Sequence, residues 1–119
     1  MTRLEVRPTT RQDFIDFHGV PPPYRMRALT ALEDGTVIGI AGLQYVNGNL
    51  IAFSDTCPAI KSRKKFLMRF AKTAMQMCEE ETRPIYAIAD ENEPTAPRWL
   101  ARHGFTNIES DLYLWHRHS

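Results

Sequence analysis

Two dipeptides, Asp34-Gly35 and Asn47-Gly48, do most to limit how this chain can fold. They separate three runs of strand-like composition: Arg25 to Glu33, Thr36 to Val46, and Leu50 to Ser54. A two-residue hairpin turn of type I′ needs positive φ at both central residues, a conformation that Asn, Asp and Gly accept most readily. Two such turns in succession predict a three-stranded antiparallel meander. Gly39 and Gly42, inside the middle run, predict a bulge or a close backbone approach.

The segments around this meander follow from their periodicity. Pro58 ends it, and residues from Lys61 to about Glu81 predict the longest helix. Phe66, Leu67, Phe70, Ala71, Ala74 and Cys78 recur at i, i+3 and i+4, while Lys64, Arg69, Lys72 and Gln76 fall off that stripe. Met75 and Met77 read as core filler. Ile85 to Ala89 is apolar at nearly every position, which predicts a strand buried on both faces. A helix joins it to the preceding strand, so the two should run parallel. A short helix from Ala96 to His103, stopped by Gly104, precedes two last strands, around Ile108 and from Leu112 to Trp115.

At the other end, Leu4 to Arg7 alternates as a half-buried strand does. Thr10 is placed as an N-cap, with Asp13 at the capping-box position, for a helix from Arg11 to about His18 that Gly19 stops. Pro21-Pro22-Pro23 then forms an extended link. The order β-α-βββ-α-β-α-ββ describes an α/β (α+β) fold with helices covering a mixed sheet, and the length of 119 residues suits one domain over 1–119.

Composition excludes several classes. A net charge of +1 argues against a dedicated nucleic-acid binder. No apolar run approaches the length of a membrane span, and Met1-Thr2-Arg3-Leu4-Glu5 lacks a signal-peptide core, so the expected compartment is a cytoplasm. Cys57 and Cys78 fit neither a metal spacing nor a redox motif and read as reduced thiols, with Cys78 in the core. His18, His103, His116 and His118 are scattered, and no metal site is expected.

The charges of the long helix run against its dipole. Lys61, Arg63, Lys64 and Lys65 sit at its start and Glu79, Glu80 and Glu81 at its end. Each such placement costs about 0.3–1 kcal/mol when exposed. Free N–H groups together with these cations would form an anion site, suited to a pyrophosphate or another polyanion. The alternative is a solvated face whose cations pair with acids elsewhere in the fold.

Ile85–Ala89, the loop bearing Asn92, Ala96 eight residues ahead of Gly104-Phe105, and the closing strands resemble the C-terminal half of the GNAT acyltransferases. The whole element order resembles a compact GNAT domain. The resemblance implies acetyl-CoA as the bound cofactor and acyl transfer to an amine. The family's Gln/Arg-x-x-Gly-x-Gly/Ala motif, which cradles the pyrophosphate, falls on Lys61, Ser62, Arg63, Lys64, Lys65 and Phe66. Lys61 stands in for the leading residue, and Lys64 and Phe66 replace the two glycines, so cationic side chains would have to substitute for the backbone cradle. The family's proton-donating Tyr falls on Leu100, which has no proton to give. The region that shapes the acceptor pocket is cut to the short proline link. A narrower resemblance joins Lys61 to Phe66 with Asn92, Arg98-Trp99-Leu100 and Gly104. It is to the small internal virion protein A family of short-tailed phages, and implies a phage origin and a place in the host cytoplasm or the virion.

Three functions follow as expectations. The first is acetyl-CoA-dependent N-acyl transfer, weak or lost because the glycines and the Tyr are missing together. In it Asp55 is the base, Tyr86 or Tyr45 the proton donor, Lys61, Ser62, Arg63 and Lys64 the phosphate contacts, and Asn92 the partner of the pantetheine amide. Each has a structural alternative: Asp55 and Asn92 in turns, the tyrosines in packing. The second function is a non-catalytic module bound to a phage or host protein, with Trp99, Tyr113 and Trp115 as contacts or as core. The third, nucleic-acid binding through Lys61–Lys65, ranks last on net charge.

Overall fold

A computed structural model describes residues 2–90 and 93–115; Asn92, His116 and His118 lie outside the described residues. The meander forms as its turns require. Strands β2 (Arg25–Glu33), β3 (Thr36–Val46) and β4 (Asn49–Thr56) pair antiparallel in sequence order. Asp34 and Asn47 adopt φ of 49° and 50°, and Gly35 and Gly48 both adopt 83°, the two positive values that a type I′ turn needs. β4 extends past Ser54 because its ladder with β3 continues to Gly39↔Thr56.

Strand β1 (Leu4–Pro8) pairs antiparallel with β2 and leads into helix α1 (Arg11–His18). The capping box is complete: the Asp13 N–H donates to Thr10 Oγ1 at 3.1 Å, and the Thr10 N–H donates to the Asp13 carboxylate at 3.0 Å. Arg7 and the Thr30 hydroxyl also donate to Asp13, at 2.7 and 3.2 Å, so this buried carboxylate ties α1 to β1 and β2. Gly19 ends the helix in the left-handed conformation. Phe14 and Phe17 lay α1 on the face of the meander that carries Ala28, Ile40 and Phe53.

The expected helix from Lys61 to Glu81 is two helices. Pro58 occupies the first helical position, where its missing N–H is no loss, and opens one turn, α2 (Pro58–Lys61). The Ser62 hydroxyl donates to the Ala59 carbonyl at 2.8 Å and closes that turn. Arg63 leaves the helical region at φ −112°, ψ 62°, and α3 (Lys64–Glu79) starts after it. The apolar stripe of α3 is buried on the sheet face opposite α1, with Phe66 and Phe70 against Ala31, Ile38 and Ala41. No helix among the described residues is long and apolar enough to cross a membrane.

After α3 come β5 (Ile85–Ile88), α4 (Ala96–Arg102), β6 (Thr106–Glu109) and β7 (Leu112–Trp115). The seven strands among the described residues lie in the order β1-β2-β3-β4-β5-β7-β6. β5 runs parallel to β4, through Leu50↔Ile85, Ile51↔Tyr86 and Ala52↔Ala87, and every other pair is antiparallel. The short α2 is the one addition to the order expected from sequence.

The burial expected for both faces of Ile85–Ala89 holds on one. Ile85, Ala87 and Ala89 join the core beneath α3 and α4, but Tyr86 is half-buried and Ile88 is 65% exposed. The reason is reach. Through Phe14 and Phe17, α1 packs on Ala28, Ile40 and Phe53, and a helix about 10 Å across covers only about two or three strands at about 4.8 Å spacing. It covers β2 to β4 and stops short of β5. Ala89 lies past the strand, and its N–H donates to the Asp111 carbonyl at 2.9 Å.

Both glycines of β3 have the expected uses. The register shifts so that Ala31 faces Gly39 while Leu32 faces Val37, a bulge beside Gly39. At Gly42 an added Cβ would stand 2.3 Å from the Arg27 carbonyl oxygen and 2.5 Å from Ala28 Cα, backbone atoms that cannot step aside. Gly42→Ala should therefore destabilise the fold by about 2–3 kcal/mol or more, the upper range of overpacking. Urea unfolding of this variant beside the wild type checks it.

Candidate functional site

The parallel pair ends where the site begins. The last matched residues of β4 and β5 are Ala52 and Ala87, yet β4 stays paired to β3 as far as Thr56. The parted ends bound a cavity of about 390 Å³. On the side of α3 and α4 its wall is apolar, formed by Phe70, Ala71, Ala74, Met75, Trp99 and Leu100. Phe53, Asp55 and Ile88 also line it, and their strand parity places them on the α1 face. The cavity therefore passes through the sheet from one face to the other.

Charged groups gather at its polar end. Asp55 Oδ2 lies 3.3 Å from His18 Nε2, off the alignment of a hydrogen bond. The His18 ring is held by Phe14 and Phe17, at centroid distances of 4.2 and 5.0 Å. Partial burial pushes the Asp55 carboxyl above its ordinary range; His18 opposes the shift and Asp90 adds to it. About half of the Asp55 side chain still meets water, which keeps this effect modest. Across the cleft, Lys61 Nζ donates to Glu93 at 3.3 Å, and the Thr95 hydroxyl donates to the same carboxylate at 2.6 Å. The Thr95 bond first, and Lys61 second, hold Glu93 below the usual carboxylate range.

The basic run is divided rather than gathered at one helix start. Lys61 closes α2 and pairs with Glu93, and Ser62 is engaged with Ala59. Arg63 donates to Glu33 at 2.8 Å. Lys64 and Lys65 stand in the first turn of α3, make no ion pair among the described residues, and rim a shallow hollow with Arg69. Arg63, at the N-cap, offers no side-chain acceptor, so the first amides of α3 are uncapped. Phe66 turns its ring into the core, away from that helix end. At the other terminus Arg27 pairs with Glu80, which relieves one of the acids there.

Of the remaining residues singled out in the sequence, Leu100 and Trp99 line the cavity. Tyr86 neighbours the lining residue Ala87 but faces Leu114 and Ile51 across the sheet, outside the lining. Tyr45 lies under the Arg83 guanidinium, 5.9 Å from its ring centre. Tyr113 and Trp115 are core. Sequence reading missed His18, Asp90, Glu93 and His103. Its one available signal was that His18 closes a helix and so has a fixed position. His103 lines the cavity with a buried Nε2 that has no hydrogen-bond partner among the described residues; burial first and Arg102 second push it below its ordinary value.

A mixed sheet whose parallel pair opens at its C-terminal ends, with one helix leading into the second strand and another leaving it, is the architecture of GNAT acyltransferases. Solved structures bear this out. The chain is similar to an acetyltransferase of the GNAT family from Staphylococcus aureus Mu50, with 15% identity, a TM-score of 0.63, and coverage of 90% of this chain and 79% of that one. It is similar to a GNAT-family acetyltransferase from Streptococcus pneumoniae, with 12% identity, a TM-score of 0.62, and coverage of 94% and 96%. It is also similar to an acyl-CoA N-acyltransferase from Pseudomonas aeruginosa, with 13% identity, a TM-score of 0.52, and coverage of 96% of each chain. The fold is that of the GNAT family. No family model and no curated protein matches the chain, and nothing in these comparisons supports the narrower phage resemblance.

Cys78, buried in the lining of the cavity, gives this geometry a chemical probe. Burial, then Glu79 and Glu81, push its thiol up to about 11. At pH 8 the native protein should therefore be alkylated by iodoacetamide at the half-buried Cys57 and hardly at Cys78 until it is unfolded. Peptide mass mapping after timed quenching reads the two rates.

Proposed function

We propose that this protein binds an acyl-CoA, acetyl-CoA in the first instance, in the cleft between β4 and β5 and passes the acyl group slowly to an amine. The observation that carries this reading is the cavity that runs through the sheet from α3 and α4 to Asp55. The residues present fit such a ligand. The apolar wall suits the pantetheine arm, and the uncapped amides of α3 with Lys64 and Lys65 suit its phosphates. Lys61 lines both the cavity and the basic hollow, so an incoming phosphate competes with Glu93 for it. Ser62 and Arg63 contribute less than the sequence implies, since both are already engaged.

In this reading Asp55 takes a proton from the acceptor ammonium, and the neutral amine adds to the thioester carbonyl carbon. A bound acyl-CoA would supply the thioester; as the carbon–nitrogen bond forms, its carbon–sulfur bond would break with CoA leaving as thiolate, and the second nitrogen proton would pass to water to leave a neutral amide. Leu100 faces the cavity and cannot protonate the thiolate. Loss of a general acid lowers a rate by about 10²–10⁴-fold, which is why turnover is slow. The acceptor side is open, because α1 ends at β4 and leaves Ile88 exposed, so the amine is not enclosed. A second reading, binding of acyl-CoA or another polyanion without turnover, is favoured by Leu100 and by the Lys61–Glu93 contact across the cleft.

Calorimetry with acetyl-CoA tests both readings. One-to-one binding is expected, weakened roughly tenfold by changing Lys64 and Lys65 together to Ala, as the loss of two charge-assisted contacts implies. Labelled acetyl-CoA with a panel of amines should give turnover below the enzyme median of about 10 s⁻¹, abolished in Asp55→Ala. Binding without turnover selects the second reading, and no binding overturns both.

A further inference from the structure

Asp55 is held from two directions by elements far apart in sequence, and the inference drawn from this rests on the acyl-transfer reading. Its backbone is fixed by the β3–β4 ladder, opposite Ile40. Its Oδ2 faces His18 Nε2 at 3.3 Å. His18 is itself fixed three times over: by the last turn of α1, by the left-handed Gly19 that ends it, and by the rings of Phe14 and Phe17. The buried Nε2 of His18 has no hydrogen-bond partner among the described residues, so Asp55 is what this polar atom meets. His18 does not line the cavity, whereas Asp55 does.

We propose that His18 is a positioning residue for Asp55, engaging Oδ2 and leaving Oδ1 to receive the proton of the acceptor amine. Two rigid elements set this pair, so the carboxylate meets the acceptor in one orientation without the rearrangement that a free surface Asp undergoes. The charged groups that face Asp55 are His18 from α1 and Asp90 after β5. Lys61 and Glu93 also line the cavity but are paired with each other. His18 favours the carboxylate form, and burial and Asp90 favour the protonated form. Removing His18 leaves the latter two unopposed. The Asp55 titration then moves to higher pH, and the low-pH limb of kcat/KM, which requires the carboxylate, moves up with it.

The test uses the full chain with H18Q and H18F, the second keeping a ring between Phe14 and Phe17 without the nitrogen. Carbon-detected NMR follows the Asp55 carboxyl through its titration, and acetylation assays follow kcat, KM and the pH profile. Both variants should shift the Asp55 midpoint upward. They should lower kcat by roughly ten- to a hundredfold, leave acetyl-CoA affinity and Tm near those of the wild type, and move the low-pH limb up. An Asp55 midpoint equal in wild type and both variants overturns the proposal, as does an unchanged pH profile. A wild type that neither binds acetyl-CoA nor turns over instead defeats the acyl-transfer reading and with it the catalytic part of this assignment, and the titration still decides whether the two side chains form a pair.

Discussion

Parallel strands cannot be joined by a tight turn; they need a crossover of a dozen or more residues. Between β4 and β5 that crossover is α2 and α3, and the rest of the site depends on it. The crossover brings the start of α3 to the ends of β4 and β5. It also leaves those ends with different partners. β4 stays bonded to β3 up to Thr56, while the chain beyond β5 is drawn aside by the Ala89–Asp111 bond and turns into α4. After Ala52↔Ala87 the two strands have no reason to stay together, and the gap is the cavity.

One-sided cover gives the cavity its two ends. α3 and α4 roof one face of the sheet with apolar side chains, and α1 reaches only part of the other. The side of the cavity under α3 and α4 is therefore enclosed and the side toward α1 open, with Asp55 lining the passage between them. The charges are consistent with this division. Lys64 and Lys65 stand against the α3 dipole at an exposed cost of about 0.3–1 kcal/mol each, while Lys61, Arg63 and Arg27 are offset by Glu93, Glu33 and Glu80. Within the run from Lys61 to Lys65, the two cations that make no ion pair among the described residues, Lys64 and Lys65, are the ones nearest the uncapped amides.

What could be read in the sequence was local. The two I′ turns, the Thr10–Asp13 box, the Gly19 stop and the α3 stripe are each decided by a few neighbouring residues, and the structure has all of them. The parallel placement of Ile85–Ile88 was also legible, because a helix of that length allows little else. The break at Ser62–Arg63 was not: it depends on a proline that opens a turn as readily as it ends a strand. The exposure of Ile88 depends on how far α1 reaches, a tertiary fact that no periodicity contains. At the site, Asp55, Lys61 and Leu100 could be named from the sequence. Their partners His18 and Glu93 could not, because each arrives from a different element.

The central claim is that an acyl-CoA lies in the gap between β4 and β5. The most direct measurement is amide chemical-shift mapping of the labelled protein during titration with CoA. Perturbations are expected at Ser54–Thr56, at Lys64–Leu67 and along 96–103, with little change on β1, β6 and the outer face of α1. Perturbations confined to the exposed β5–β7 face, or shifts at Lys64 and Lys65 with none at Ser54–Thr56, would contradict the account. The ligand would then be a surface anion, and the cavity would be only a gap in the packing.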